Sequence, residues 1–489
     1  MIDVLMTGGT IITMDSDRRI IKNGAVAVKG NKIYKIGTAD ELVYLKKEAA
    51  QVMDCTGKLI LPGFIDAHAH AGHSAFKALA ADTLSNWMPI LTKAYHLNTT
   101  DEFWYAEGRL AALERLKSGV TCGLSVMSNA QRSDDAVFSL NNARGYGDVG
   151  VRGIVAVGPS NPPYPRVFRR YINGKWAEKQ CSFEQLMEGA EASIEAVNHL
   201  YNDRIQAVAA PFVLIPSVEP SNPTPPDLAA APSGQDKLMM KEIRALAKRQ
   251  GVRIHTEAFG GMIAMAAKCD DALLGPDVHI QHCLGISMQE MLILKETGTN
   301  VTSAPNVHQL INRCPVTELI SLGVNVAVTT DGTAPSMSFD LLQAARKTQI
   351  IQQMGLRDKY LMPAGKLLEM ITIDAARAIG REDDLGSLEV EKRADIITVN
   401  THQPHLVTCV SPVHQLMMYA VANDVWDVMV DGKILMTDRH VLTVDEDEVM
   451  ELALKESRSV INRAGLEAFT EPAEGFWGCS RLSFDKNRL

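Results

Sequence analysis

The sequence has no C-x-x-C pair, no apolar run near the roughly 20 residues a membrane-spanning helix needs, and no basic stretch leading into an apolar one at its start. Its eight cysteines are scattered from Cys55 to Cys479, which fits a reducing compartment better than a disulfide framework. A cytoplasmic location with no membrane attachment is the expectation. Positive charge is in short supply: 49 Lys and Arg stand against 58 Asp and Glu, a net charge of −9. That removes any broad electrostatic footprint for nucleic acid or anionic lipid and leaves a small molecule as the expected partner. Aromatic residues are only 6%, but hydrophobic residues make up 46% of the 489 positions. Such a composition excludes a fibre, a disordered tail protein and a membrane channel.

What is present is a change of texture along the chain. Residues 1–60 read as short strands, among them Val4–Met6, Ala25–Lys29 and Lys32–Ile36, separated by Gly8-Gly9, Asn23-Gly24 and Gly30-Asn31. The same texture returns over residues 384–445, in Ala394–Val399 and Trp426–Leu435. Two such segments can form one small β module that clasps what lies between. In residues 61–383, strand-like runs alternate with helical patterns, the order of βα units around a parallel sheet. The candidate strands are Gly63–His68, Val120–Val126, Gly150–Val157, Ile205–Leu214, Arg253–His255, His279–His282, Asn300–Ser303 and Val324–Thr329. Eight is the number a (β/α)8 TIM barrel requires. Residues 446–489 are a C-terminal helical extension. Two proline-rich segments, Pro159–Pro165 and Ser217–Gly234, follow candidate strands and so fall at the barrel rim. For the second, the readings are a substrate lid or a surface insertion.

The chemistry concentrates at strand ends. In Pro62-Gly63-Phe64-Ile65-Asp66-Ala67-His68-Ala69-His70, the His-x-His spacing puts both imidazoles on one face by period-two alternation. With 13 histidines in the chain, that spacing arises by chance about 0.35 times, so its location decides more than the spacing. His255, His282 and Asp331 also close predicted strands. Each histidine alone reads as a satisfied core residue, but together they make a nitrogen-rich set with one carboxylate. Such a set suits Zn²⁺ or Fe²⁺ better than Mg²⁺ or Ca²⁺.

These residues carry a resemblance to the amidohydrolase superfamily, in its deaminase and chlorohydrolase-like branch. The matching pieces are PGFIDAHAH, TLSNWMPILTKAYHLNTTDEFWYAEGRLAALERLKSGVTC, IHTE, IQHC, SLGVNVAVTTDG and GSLEVEKRADIITVN. The resemblance implies an α/β fold, a (β/α)8 TIM barrel flanked by a small β-sandwich built from both termini. It implies one divalent metal, zinc or iron, held by His68, His70, His255 and Asp331, and a homo-oligomer. It further implies that Asp331 takes a proton from a water that attacks an electrophilic ring carbon, with His282 bonded to that water or to the developing oxyanion. Binuclear relatives place a carboxylated lysine on the fourth strand. Ile205–Pro216 contains no lysine, so a mononuclear site is expected.

One departure stands out. The deaminases carry His-x-x-Glu after the fifth strand, whereas three residues beyond His255 this chain has Ala258, and Glu257 comes two beyond. Positions i and i+2 of a strand share a face, so Glu257 is the candidate proton shuttle, with a solvated or salt-bridged carboxylate as the alternative. His73, Trp87, Asn306 and His308 are candidate substrate contacts by their rim positions. For each the alternative is packing or a loop-stabilising hydrogen bond. The lead expectation is a hydrolase that cleaves a C–N bond of a small heterocycle. An amide, urea or carbamate hydrolase or a hydrolytic dechlorinase on the same site is the alternative, and a non-catalytic scaffold is the alternative of another class.

Overall fold

The computed structural model describes residues 2–81, 87–127, 131–218, 228–306, 309, 312–472 and 476–478. Eight parallel strands succeed one another in chain order around a barrel: Phe64–Asp66, Val120–Val126, Arg152–Val157, Ile205–Ala209, Ile254–Phe259, Val278–Leu284, Asn300–Ser303 and Val326–Val328. All eight candidate strands are there. The second, third and sixth are buried along their whole length, as parallel strands covered by helices outside and side chains inside must be. The seam between the first and eighth strands is made by side chains and one main-chain bond. Asp331 N–H donates to the His68 carbonyl at 3.2 Å, and the Thr330 N–H and hydroxyl donate to Asp66 at 3.0 and 2.7 Å.

Helices start where the sequence supplies caps. Thr100 accepts from Phe103 N–H at the head of Asp101–Lys117. Ser182, Ser233 and Ser287 each form a reciprocal capping box opening Phe183–Val197, Gly234–Gln250 and Met288–Thr297. The chain after Pro159–Pro165 forms an antiparallel hairpin, Arg166–Ile172 with Lys175–Cys181. Of the rim segment Ser217–Gly234, residues 219–227 lie outside the described residues, so the lid reading falls largely there. Its flanks are pinned: Ser217 binds Asp236 through its N–H (3.0 Å) and hydroxyl (2.5 Å), and Lys268 Nζ donates to the carbonyls of Leu228 (2.7 Å) and Ala230 (2.6 Å).

Both termini build one continuous nine-stranded sheet, and one apolar cluster gathers residues from its N-terminal and C-terminal halves. The halves join where Ile396–Asn400 pairs antiparallel with Lys58–Pro62. This sheet is fastened to the N-terminal end of the barrel by the buried Arg152, whose guanidinium donates to Asp395 at 2.7 and 3.0 Å and to Asp431 at 2.9 Å. The helix Glu446–Ala464 returns to the opposite side, where Ser457 Oγ donates to the Ala75 carbonyl at 2.5 Å and Arg463 to that of Asn98 at 2.8 Å. Ala75 belongs to the loop leaving the first strand, so this helix steadies one wall of the barrel mouth.

Candidate metal centre

His68 and His70 follow the first strand two residues apart, and both are buried at the barrel mouth. Asp66, also buried, lies on the helix-facing side of the first strand. It takes the two Thr330 bonds and a 3.2 Å contact from the fully buried Arg115, which also lies over the Phe339 ring. His68 Nε2 and His70 Nε2 each stand 3.3 Å from Asp331 Oδ1. That same oxygen accepts from Gly332 N–H at 2.7 Å, and Asp331 Oδ2 accepts from Asn306 Nδ2 at 2.7 Å. Asp331 adopts a left-handed backbone (φ 64°), which bends the chain out of the eighth strand and aims the carboxylate across the mouth. Glycine is required next: a Cβ on Gly332 would lie 2.0 Å from His73 Nδ1.

On the fifth strand, His255 and Glu257 share the inward face at different depths. The register pairs His255 with His279 and Glu257 with Gln281 of the sixth strand. His255 is the deeper, its Nε2 2.9 Å from His68 Nδ1 and its ring 4.5 Å from that of His279. Glu257 is level with the mouth: Oε1 is 3.5 Å from His70 Nε2 and 4.0 Å from His68 Nε2, and Oε2 is 3.4 Å from His282 Nε2. In a regular strand His282 would face outward, opposite to Gln281. Left-handed backbone at His282 (φ 74°) and Cys283 (φ 48°) reverses it, bringing its imidazole to Glu257 and to 3.9 Å from Asp331 Oδ2.

The electrostatics follow from burial and from these contacts. Burial works to raise the Asp331 carboxyl, but hydrogen bonds from His68 and His70 and the His282 imidazole hold it well below the usual carboxylate range. Glu257 is likewise held low against burial by His282, and His282 is raised against burial by its bond to Glu257. Burial and the neighbouring imidazoles of His279, His68 and His70 keep His255 far below the usual histidine range, so it is neutral. Burial holds His68 low as well, against the pull of Asp331.

This donor set fits a divalent cation. Among the described residues, two overlapping groups of ligand atoms lie within 4.8 Å of one another: His68 with His70 and Asp331, and His68 with Glu257 and His282. Glu257 Oε1 is fully buried and has no hydrogen-bond partner among the described residues, an arrangement costly for a carboxylate unless a cation meets it. The structure thus brings His68, His70, Glu257, His282 and Asp331 together and leaves His255 below them. His73 stacks on His70 with ring centroids 5.0 Å apart and meets Trp87 edge-on at 5.5 Å. Those two candidates border the centre, Asn306 is bonded to Asp331, and His308 lies outside the described residues. The sequence reading had no role for Asp66, Arg115 or His279. Inward alternation on the fifth strand, carried across to the sixth by the register that pairs His255 with His279, would have pointed to His279.

The fold and the centre define a metal-dependent hydrolase barrel, and the amidohydrolase family profile matches residues 59–435. The chain belongs to the amidohydrolase family. It is 27% identical over 478 residues to a 5'-deoxyadenosine deaminase of Methanosarcina mazei, covering 95% of this chain and 99% of the relative. It is 28% identical over 460 residues to a 5-methylthioadenosine/S-adenosylhomocysteine deaminase of Syntrophobacter fumaroxidans, covering 92% and 96%. Among solved structures, an adenosine deaminase from Xanthomonas campestris with bound zinc superposes with a TM-score of 0.78 at 20% identity, covering 94% of this chain and 99% of the other.

Proposed function

We infer that the chain is a metal-dependent aminohydrolase that removes the exocyclic amino group of a 6-aminopurine nucleoside. The observation that carries this is the convergence of His68, His70, Glu257, His282 and Asp331 at the C-terminal mouth of an amidohydrolase barrel, the end where such barrels do chemistry. The purine reading draws on end-to-end relatives named for 5'-deoxyadenosine and 5-methylthioadenosine or S-adenosylhomocysteine. A stacking wall of His73 and Trp87 beside the centre agrees with a flat ring.

His68, His70 and Asp331 hold the cation, with Glu257 and His282 at its side. When bound, the ion supplies the positive charge that makes a water nucleophilic near neutral pH. Asp331, held ionised by its imidazole neighbours, receives the water proton. His282 faces the reacting carbon from the sixth strand and donates to the oxygen added there. The water oxygen forms the new C–O bond, the C–N bond breaks, and the amine leaves as ammonia after taking up the water proton that Asp331 received, the second water hydrogen staying with the product ring. Zinc is the metal we assign, as in the Xanthomonas structure, with ferrous iron the alternative this donor set accepts. The remaining parts of the reading are a cytoplasmic enzyme, for which the free and mostly buried cysteines among the described residues speak, and a homo-oligomer.

The test is ammonia release by zinc-loaded protein from 5'-deoxyadenosine, 5'-methylthioadenosine, S-adenosylhomocysteine and adenosine, with Asp331→Asn as the blank. Release from any of them that depends on Asp331 supports the reading, and metal-loaded protein inert to all four removes it. A second reading has one observation in its favour, Ala258 where the deaminases carry Glu. It is hydrolysis of an amide, urea or carbamate, or of a chloride, none of which needs the same ring-proton shuttle.

A further inference from the structure

The family pattern calls for an imidazole ligand from the fifth strand, and His255 is the histidine that strand offers. Its place in the barrel assigns it another task. His255 Nε2 is 2.9 Å from His68 Nδ1. For His68 to present a lone pair at Nε2, on the side of Asp331, its proton must sit on Nδ1 and be donated to His255. The Nε2 lone pair of His255 is then occupied, and its Nδ1 is buried without a partner among the described residues. Neither nitrogen is free to reach a cation between His68 Nε2 and His70 Nε2, and His255 falls in neither of the two ligand groups found among the described residues.

The position level with the mouth, two residues on, is filled by Glu257. Among the described residues its Oε1 is the one carboxylate oxygen there without a hydrogen-bond partner, since both oxygens of Asp331 are engaged by Gly332 and Asn306. Oε1 faces the same two imidazole nitrogens as Asp331 Oδ1, at 4.0 and 3.5 Å. We propose that the fifth-strand ligand of this chain is the Glu257 carboxylate, giving a set of two histidines and two carboxylates, and that His255 is a positioning residue that fixes the tautomer of His68. This deepens the reading of a metal-dependent hydrolase and rests on it.

Two consequences follow. Counted from Glu257 rather than His255, the place of the deaminases' shuttle Glu falls on Gly260, which has no side chain. With Glu257 committed to the ion, His282 is the group left to return a proton to the leaving nitrogen. A second carboxylate also lowers the net charge of the site and shifts it from nitrogen-rich toward harder metals such as Mn²⁺ or Fe²⁺.

Zinc K-edge X-ray absorption on the zinc-loaded full chain counts coordinated imidazoles, with no assay of activity. The expected count is two in the wild type, two in His255→Asn and three in Glu257→His. His255→Asn should weaken zinc binding about 10–100-fold, the range for loss of an outer-shell partner, and Glu257→Gln should exceed it. A count that falls by one in His255→Asn, or Glu257→Gln protein that binds zinc as the wild type does, overturns the assignment. The wild-type count of three imidazoles would do the same even if no variant folds. Wild-type protein that binds no zinc at all would instead overturn the metal-dependent reading from which this one starts.

Discussion

The two ends of the barrel hold similar residues in opposite states. At the N-terminal end Arg152 and Asp395 are buried with Asp431 partly buried beside them, and the charges are matched by bonds of 2.7–3.0 Å, with Asp431 N–H donating to the Asp395 carboxylate as well. At the C-terminal end Glu257 and three imidazoles are buried with Asp331 partly buried among them, yet Glu257 Oε1, His70 Nδ1 and His282 Nδ1 lack partners among the described residues. A saturated cluster stabilises a fold and does nothing else. A cluster with open valences is built for something that binds there.

That contrast can be broken from either end. The largest effect is expected for Asp331→Asn, which should lower kcat by about 10²–10⁴, the span of general acid–base catalysis, with thermal stability nearly unchanged. Steady-state kinetics beside a melting curve checks it. A melting temperature that falls along with kcat would mean that the mouth is structural like the base. Arg152→Met leaves Asp395 buried without its guanidinium partner, while Asp431 keeps Arg393, a loss of roughly 3–5 kcal/mol in urea unfolding with kcat of the folded protein retained.

A third site separates stability from chemistry through pH. Glu107 is fully buried under the rim loop, where it accepts from Ser74 N–H at 3.3 Å and Asn142 Nδ2 at 3.1 Å. Burial, opposed by the main-chain bonds of Gly72 and Ser74, raises its carboxyl to about 7. The folded state therefore holds a proton that the unfolded chain releases near pH 4.5. Stability should fall as pH rises from about 4.5 to 7 and level off above, by roughly 3 kcal/mol in all. Glu107→Gln should abolish that slope in denaturation series from pH 5 to 8, because the amide has no proton to release over that range. A slope kept by the variant would mean that Glu107 is already ionised. The smallest effect is expected for Asn306→Ala. Loss of one 2.7 Å bond to Asp331 should lower kcat about tenfold, near 1.4 kcal/mol, with KM little changed. A rise in KM alone would return Asn306 to substrate contact.

The barrel was legible because parallel strands covered on both faces are written as short apolar runs ending in polar residues, as in Val120–Val126 and His279-Ile280-Gln281-His282. The hairpin Arg166–Cys181 was not, since among its residues only Phe168 and Cys181 are buried and its charged, two-sided texture reads as loop. His68, His70 and Asp331 were found together because alternation and strand ends mark them. The depth of His255 was out of reach: it depends on the pairing of the fifth strand with the sixth, a long-range register that one sequence does not carry. The inward turn of His282 depends on two left-handed residues, neither of them glycine, so nothing in the residue types announces it.

The most direct test of the account is the metal content of the purified chain by inductively coupled plasma mass spectrometry, with His68→Ala and Arg152→Met beside the wild type. The account predicts one equivalent of a transition metal, zinc first, in the wild type and in folded Arg152→Met protein, and less than about a tenth in His68→Ala. Metal retained by His68→Ala at the wild-type level would contradict it.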